Sequence, residues 1–274
     1  MRSLLLTATF AVVMTPLPAV AQSMNWTGPY VGGRLGYTSQ PEDKDETILF
    51  DTNLDGEFDD RVNTVTGADA FPRGFCGGAA KNATATTCAD RDGTEWAAHA
   101  GFDYQLGSAI VVGVVAEYGR SDIEDSVTGF SSTPAFYTLT RRLRDHASLR
   151  ARAGFATGNA LVYGTGGVAY GKIARSFSTS NGVNTFTESG NDDDDAWGYR
   201  VGGGVELRVS RNFSIGAQYL YMSLEDDDYR VRAGGANVPV SNPFILRNAQ
   251  GTDFRRSGGR FTSNNVSVVT SFRF

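Results

Sequence analysis

The hydrophobic and polar positions of the last segment of the chain, Phe261–Phe274, alternate with a period of two. One parity is mostly apolar and runs from Val266 to the terminal Phe274, whereas the other is mostly polar and includes Asn265 and Arg273. This alternation predicts a β-strand with one buried face. A lipid-facing strand of a closed transmembrane barrel explains it, because such strands alternate apolar-out and polar-in and leave no free edge. An edge strand of a soluble β-sandwich is the alternative.

Six upstream segments repeat this alternation and a seventh, Leu161–Lys172, is rich in glycine with ambiguous faces; the connections between the eight segments are alternately long and short. Outer-membrane barrels have short periplasmic turns and long extracellular loops, whereas a soluble sandwich has no reason to alternate its loop lengths. The sequence therefore predicts an all-β protein, an eight-stranded antiparallel transmembrane β-barrel with four long extracellular loops and both termini in the periplasm. The upstream segments are Tyr30–Tyr37, Glu95–Tyr104, Ile110–Tyr118, Arg142–Phe155, Leu161–Lys172, Trp197–Arg208 and Phe213–Tyr221.

The amino terminus has the form of an export signal. Arg2 supplies a positive start, Leu4–Val13 an apolar core, and Ala19–Ala21 a cleavage site of small residues. Residues 1–21 are therefore predicted to be a signal peptide and residues 22–274 a single outer-membrane β-barrel domain. No later stretch approaches the roughly 20 continuous apolar residues of a transmembrane helix, so we expect the chain to cross a membrane only with strands.

The composition is typical of an all-β chain that does not bind nucleic acid. The chain contains 33 glycines, 17 phenylalanines and 11 tyrosines, with few helix-type periodic runs. Its formal net charge is −5, and arginine greatly outnumbers lysine without forming a basic tract. Nucleic-acid partners are therefore not expected.

Two cysteines, Cys76 and Cys88, enclose a short segment rich in Gly, Ala and Thr. They are the only cysteines of the chain, and both lie in its exported part. A metal site would need further soft ligands nearby, whereas an oxidising compartment favours a disulfide. We therefore expect a Cys76–Cys88 disulfide that staples the first long loop.

Several motifs of the sequence resemble the opacity-protein-like outer-membrane β-barrels of Gram-negative bacteria. The matching stretches are Trp26–Gly33, Leu149–Phe155, Leu161–Gly171 and Gln218–Tyr221, together with the terminal Phe. The resemblance implies the barrel fold and a place in the cell outer membrane. Members of that family are surface antigens, adhesion factors and envelope-stabilising proteins that share no catalytic motif. The chain departs from the family pattern in its long first loop with two cysteines and in Gln218, where many relatives carry an acidic residue.

The predicted function is that of a monomeric, non-enzymatic surface or envelope-structural protein, acting in adhesion or as a surface antigen. A narrow, porin-like channel for small, anionic solutes is the alternative, and an enzyme is the third possibility. The expected partners are outer-membrane lipid and lipopolysaccharide, and the outer-membrane assembly machinery through the C-terminal strand.

Charged residues on the inward parity form the first candidate site. An eight-stranded barrel is only wide enough to be filled by its own side chains, so these groups are expected to interdigitate as a network of ion pairs. Glu117 is expected to pair with Arg150 or Arg152. Because arginines outnumber carboxylates, a narrow anion-selective pore is the alternative to a self-satisfied plug. The predicted network consists of Arg34, Glu95, Asp103, Glu117, Arg144, Arg150, Arg152, Arg200, Glu206 and Arg273.

The only histidines, His99 and His146, both lie on the inward parity at similar depths. A shared metal site or an acid–base pair is one interpretation, and two histidines hydrogen-bonded within the plug is the favoured one. A lipid hydrolase would need His paired with Ser or Asp on the lipid-facing rim. The inward parity of both histidines argues against that enzyme.

The stretch Asp51–Asp60 of the first long loop resembles the first two-thirds of an EF-hand calcium loop. Oxygen ligands recur at alternate positions, and Gly56 permits the sharp turn. The match fails at Val62, where the closing Glu would lie. Calcium is therefore predicted as a cofactor, with a hydrated loop rich in turn-forming residues as the alternative; no other cofactor is expected. The predicted ligands are Asp51, Asn53, Asp55, Glu57 and Asp59.

Overall fold

The computed structural model describes residues 25–41, 45–82, 88–190, 193–226 and 229–274. The predicted signal peptide, residues 1–21, lies outside this described part. The strands are β1 Gly28–Ser39, β2 Ile48–Asp51, β3 Phe75–Gly77, β4 Ala79–Ala80, β5 Cys88–Ala89, β6 Gly93–Leu106, β7 Ile110–Phe130, β8 Phe136–Thr157, β9 Ala160–Thr179, β10 Thr185–Ser189, β11 Asp193–Arg208, β12 Phe213–Glu225, β13 Arg230–Gly234, β14 Thr252–Arg256 and β15 Arg260–Arg273, with a 3₁₀ helix at Pro243–Ile245.

Eight of these strands close into an antiparallel barrel, which confirms the predicted fold. The order around the ring is β1, β6, β7, β8, β9, β11, β12 and β15. β15 closes it by pairing with β1 on one side and β12 on the other, where Val268 lies opposite Leu35 and Ala217. The short turns fall where they were predicted, and two of them place Gly107 and Gly158 at φ angles of +62° and +58°, which favour glycine.

The barrel wall separates an apolar outer face from a polar interior. On β1, Leu35 is 65% exposed whereas its neighbour Arg34 is 3% exposed, and on β15 Val266 is 64% exposed whereas Asn265 is 1% exposed. Side chains that alternate in this way on every strand present an apolar band to lipid and a packed polar lumen. No helix in the described residues is long and apolar enough to cross a membrane.

The β7–β8 hairpin is much longer than the sequence predicted. The predicted loop Ser121–Thr140 is mostly strand, because β7 continues to Phe130 and β8 begins at Phe136. Beyond the lipid band the outer face of a strand meets water, so it can carry charged residues such as Glu124 and Arg142. Apolar residues then mark only the inner face, and the lipid-facing alternation that identified the other strands is lost.

The long loops fold together into one extracellular cap. Strands β10, β13, β14 and β2 form an antiparallel sheet in that order, with segments from three different loops. β3 extends the barrel wall by pairing with β7, and the predicted Cys76–Cys88 disulfide is confirmed and links β3 to β5. The first long loop thus contributes β2, β3, β4 and β5 to the strands of the structure.

The cap has its own hydrophobic core. Aromatic rings form its centre, with Phe71 4.8 Å from Phe50 and 5.4 Å from Tyr137 between ring centroids. These rings come from distant parts of the chain, since Phe50 and Phe71 lie in the first loop and Tyr137 lies in β8. The buried core residues are Ile48, Phe50, Val62, Ala70, Phe71, Val127, Ala135, Tyr137, Leu139, Val231, Ala233, Phe244 and Phe254.

Candidate functional site

The lower part of the lumen holds a network of four charged side chains. Arg152 Nη2 lies 2.6 Å from Glu206 Oε2, and Arg273 Nη2 lies 2.7 Å from Asp103 Oδ2. Arg273 also reaches Glu206 at 3.3 Å, which joins the two pairs. All four side chains are almost completely buried, so each charge depends on its partner for solvation.

The upper part of the lumen holds a second network, formed by three arginines around two glutamates. Arg34 bridges Glu95 at 2.6 Å and Glu117 at 2.7 Å, and Arg200 bridges the same two carboxylates at 2.5 and 3.0 Å. Arg150 reaches Glu117 alone, at 2.9 Å. Of the two partners expected for Glu117, the structure pairs it with Arg150, whereas Arg152 pairs with Glu206.

Arg144 is the one predicted lumen residue that the structure places outside the lumen. The pairing of β8 with β9 shifts between Leu143 and His146, and this β-bulge reverses the parity of the strand above it. Arg144 is therefore exposed on the outer face, and Arg141 is buried instead. A parity count cannot detect an inserted residue, so the sequence analysis missed Arg141.

Each histidine has its own partner within the lumen. His99 Nε2 lies 3.2 Å from Ser271 Oγ. His146 Nδ1 lies 3.1 Å from Arg200 Nη1, and its Nε2 lies 3.0 Å from Glu95 Oε1. Because arginine only donates, Nδ1 of His146 accepts, and in the neutral ring the proton lies on Nε2. The histidines thus belong to the polar filling of the barrel.

A cluster of apolar side chains, the apolar septum, packs inside the barrel on the extracellular side of these networks. On β7, Ile123 lies beyond Glu117 toward the extracellular end, and on β8, Leu143 lies beyond His146 in the same direction. Six of the eight barrel strands contribute to the septum, and none of its side chains is more than 3% exposed. Its members are Ile123, Leu143, Ala169, Ile173, Ala196, Met222, Leu224 and Phe261.

The outer-mouth cluster, a third charged network, lies between the septum and the cap core. Arg141 contacts Asp125 at 2.6 Å and Asp226 at 3.2 Å, and Arg256 contacts Asp125 at 2.9 Å. Arg175 also pairs with Asp226, and Glu46 pairs with Arg256. These contacts attach the loop segments before β2 and around β14 to the walls of the barrel.

The electrostatics of the outer mouth follow from burial and from this pairing. Burial opposes ionisation of Asp125, but Arg256 and Arg141 outweigh it and hold its pKa below the usual value. Asp90 accepts a hydrogen bond from the Ser126 N–H, yet burial raises its pKa to about 6. Asp125, between two arginines, is thus held ionised, whereas burial raises the pKa of Glu46 despite its contact with Arg256, and Asp90 takes up a proton in mildly acidic solution.

A pocket of about 350 Å³, the cap pocket, opens in the cap between residues 70–71, 131–137, 180–184 and 239–244. None of its lining residues is charged. Asn181 Nδ2 donates to Tyr137 OH at 2.9 Å and to Asn184 Oδ1 at 3.0 Å, and Asn242 Nδ2 donates to Asn184 Oδ1 at 3.0 Å. These bonds join two loops across the pocket, so its shape is preorganised for a neutral ligand.

The predicted calcium loop is organised by its own hydrogen bonds. Asp51 is buried and accepts hydrogen bonds from the N–H groups of Leu54 and Gly56 at 2.6 and 2.9 Å. The described residues contain no group of three or more His, Cys, Asp or Glu side chains that could hold a metal ion. Calcium binding therefore stays a prediction. The other predicted ligands are exposed: Asn53, Asp55, Glu57 and Asp59.

Isothermal titration of the refolded barrel with calcium tests that prediction. If the loop binds calcium, the wild-type protein gives a saturable heat and the double variant Asp51→Ala/Asp55→Ala gives none, because two oxygen ligands are lost. Equal heats from the two proteins, or no heat from the wild type, would assign Asp51 to capping the loop alone.

Comparison with known proteins relates most of the chain to outer-membrane proteins. A family model described as "Outer membrane protein beta-barrel domain" matches residues 5–242. The 31 kDa outer-membrane immunogenic protein of Brucella melitensis is 27% identical over 210 residues, 76% of this chain and 75% of that protein. The 22 kDa outer membrane protein of Rhizobium leguminosarum is 30% identical over 134 residues, 49% of this chain and 54% of that protein. The solved structure of OprG from Pseudomonas aeruginosa aligns with 92% of this chain and 99% of its own, at 13% identity and a TM-score of 0.47.

Proposed function

Because the chain belongs to the outer membrane protein beta-barrel domain family, we propose that it is a non-enzymatic surface protein that acts in adhesion through its extracellular cap. The protein is located in the outer membrane. The observation that carries the proposal is the cap itself, whose loops share one hydrophobic core and enclose a preorganised, uncharged pocket. An ordered surface of this kind suits recognition of a partner outside the cell.

The sealed lumen argues against the channel alternative. An ion that crossed the barrel would have to pass the apolar septum, where it would lose its hydration without gaining a polar partner. The charged networks below the septum are closed by direct ion pairs and leave little space. The barrel therefore serves as an anchor that holds the cap at the surface.

We expect the refolded protein to show no discrete conductance steps in planar lipid bilayers. The physical reason is the dry septum, since hydrophobic constrictions block ions by excluding water. A porin of known conductance, inserted under the same conditions, is the positive control. Reproducible anion-selective steps would contradict the sealed-lumen interpretation and support the channel.

Adhesion is tested with a deletion strain that is complemented by wild-type or variant protein. Gly182→Trp places a large side chain at the cap pocket, where a Cβ at Gly182 meets open space. We expect the deletion strain and this variant to lose binding to host cells or abiotic surfaces. Val65→Trp, at an exposed position that does not line the pocket, is the matched control. Unchanged binding by the deletion strain would exclude adhesion, and loss with both variants would exclude the pocket.

The proposed partners follow from the same architecture. The apolar band contacts membrane lipid, and we propose that the rim above it contacts lipopolysaccharide. The last strand, which ends on the exposed Phe274, is the proposed contact for the assembly machinery. Because the ring leaves none of its eight strands unpaired, the barrel needs no second copy to satisfy an edge, which supports a monomer.

A further inference from the structure

The sealed lumen contains more positive than negative charge. Below the apolar septum, five arginines and four carboxylates lie in the two lumen networks, and none of the nine residues is more than 6% exposed. One positive charge is therefore left over, and counting either histidine as charged would increase the excess. An uncompensated charge in a dry interior is costly. The charges are Arg34, Arg150, Arg152, Arg200 and Arg273 against Glu95, Asp103, Glu117 and Glu206.

The uncompensated positive charge of the two lumen networks is concentrated at Arg150. Arg34 and Arg200 each share two carboxylates, whereas Arg150 has a single contact, from Nη2 to Glu117. Glu117 is already shared with both other arginines, so it neutralises Arg150 only in part. Nε and Nη1 of Arg150 are buried and have no hydrogen-bond partner. A guanidinium that is 2% exposed thus keeps two donors unused.

A small cavity lies beside this side chain. Its volume is about 20 Å³, and Arg150, Arg152, Gln218 and Glu117 are among the residues that line it. A cavity of roughly 10–15 Å³ is enough to hold one water molecule, so this one accommodates a single small particle. Water would satisfy hydrogen bonds but would leave the charge uncompensated.

We propose that this cavity holds one monatomic anion of the halide class, bound against Arg150 as a fixed part of the barrel's polar filling. The anion completes the charge balance that the side chains leave open. Glu117 does not oppose it, because Arg34 and Arg200 neutralise that carboxylate from the other side of the network. The bound anion then balances the extra inward arginine, so this arginine does not indicate a path for ion conduction.

Thermal unfolding at constant ionic strength tests the site. The full chain is refolded in sodium gluconate with increasing chloride, since gluconate is too large for the cavity. We expect the wild-type midpoint to rise by roughly 3–6 °C for each tenfold increase in chloride above its dissociation constant. Arg150→Gln leaves four arginines and four carboxylates, so its midpoint should not respond to chloride. Arg144→Gln removes an exposed outer arginine and should keep the wild-type response.

Bromide gives a second measurement that needs no variant. Wild-type protein is refolded from the denatured state in bromide and crystallised, and the anomalous scattering of bromine locates the ion. We expect one peak in the cavity, within about 4 Å of the Arg150 guanidinium. No peak at that position, or equal chloride responses of wild type and Arg150→Gln, would overturn the proposal. Neither result bears on adhesion, which depends on the cap.

Discussion

Replacing Glu117 with Ala should destabilise the barrel by about 3–5 kcal/mol, the usual cost of leaving a buried charge without its partner. The Glu117 carboxylate accepts hydrogen bonds from Arg34, Arg150 and Arg200, and all four side chains are at most 1% exposed. Removing it would leave Arg34 and Arg200 to share Glu95, and Arg150 would lose its one carboxylate contact. Because these side chains are buried, no exposed surface is in place to hydrate the guanidinium groups that lose the carboxylate.

Thermal or urea-induced unfolding in detergent micelles measures this effect. The matched control is Glu225→Ala, which removes a carboxylate whose side chain is 67% exposed and pairs with the half-exposed Arg260. Exposed ion pairs contribute about 0–1 kcal/mol, so this variant should unfold close to the wild type. Equal stability of the Glu117→Ala variant and the wild-type protein would mean that the lumen is hydrated around Glu117.

The barrel strands could be predicted from sequence because lipid imposes a strict alternation. Leu35 faces hydrocarbon and Arg34 faces the lumen. A shift of the strand register by one residue would exchange the two side chains and would place a charged group in lipid, which strongly destabilises the barrel. The same parity argument identified the buried carboxylates, since an inward position in a narrow barrel is a buried position. The positions of the strands and of the buried carboxylates both follow from the alternation of residues within one strand, so both predictions hold over most of the ring.

Parity arguments fail where a strand is not regular. The bulge near Arg144 exchanges the inner and outer faces of β8, so the buried arginine of the outer mouth is Arg141. No Gly or Pro lies between Leu143 and His146 to indicate an irregularity. The bulge is visible only in the pairing register of β8 with β9. That register is set by contacts between the two strands, and the residue pattern of one strand carries no information about those contacts.

The cap could not be predicted because its core is assembled from distant parts of the chain. Phe50 and Phe71 come from the first loop, whereas Phe254 comes from the last one. In each segment alone these rings belong to short apolar stretches or stand singly in a hydrophilic loop, too few to form a core. Only the pairing of β2 with β14, which places Phe50 opposite Phe254, shows that they share a core.

Phe254→Ala should unfold the cap while the membrane-embedded barrel stays folded. Phe254 is 1% exposed, and its ring lies 5.4 Å from that of Phe177 and 6.0 Å from that of Phe50. Truncating a buried Phe to Ala typically costs about 3–5 kcal/mol. The loss falls on the cap because the outer-mouth cluster and the apolar septum separate its core from the lumen networks. The cap has no lipid contact to compensate for a lost core.

Hydrogen exchange resolved by segment distinguishes the two parts of the molecule. In the variant, we expect the amides of β2, β13 and β14 to exchange much faster, whereas those of β1 and β15 below the septum keep their wild-type protection. Val240→Ala, at a cap position that is 90% exposed, should change neither group. If the barrel amides lost protection together with those of the cap, the two cores would unfold as one cooperative unit. In that case the cap would contribute to the stability of the anchor as well as to recognition.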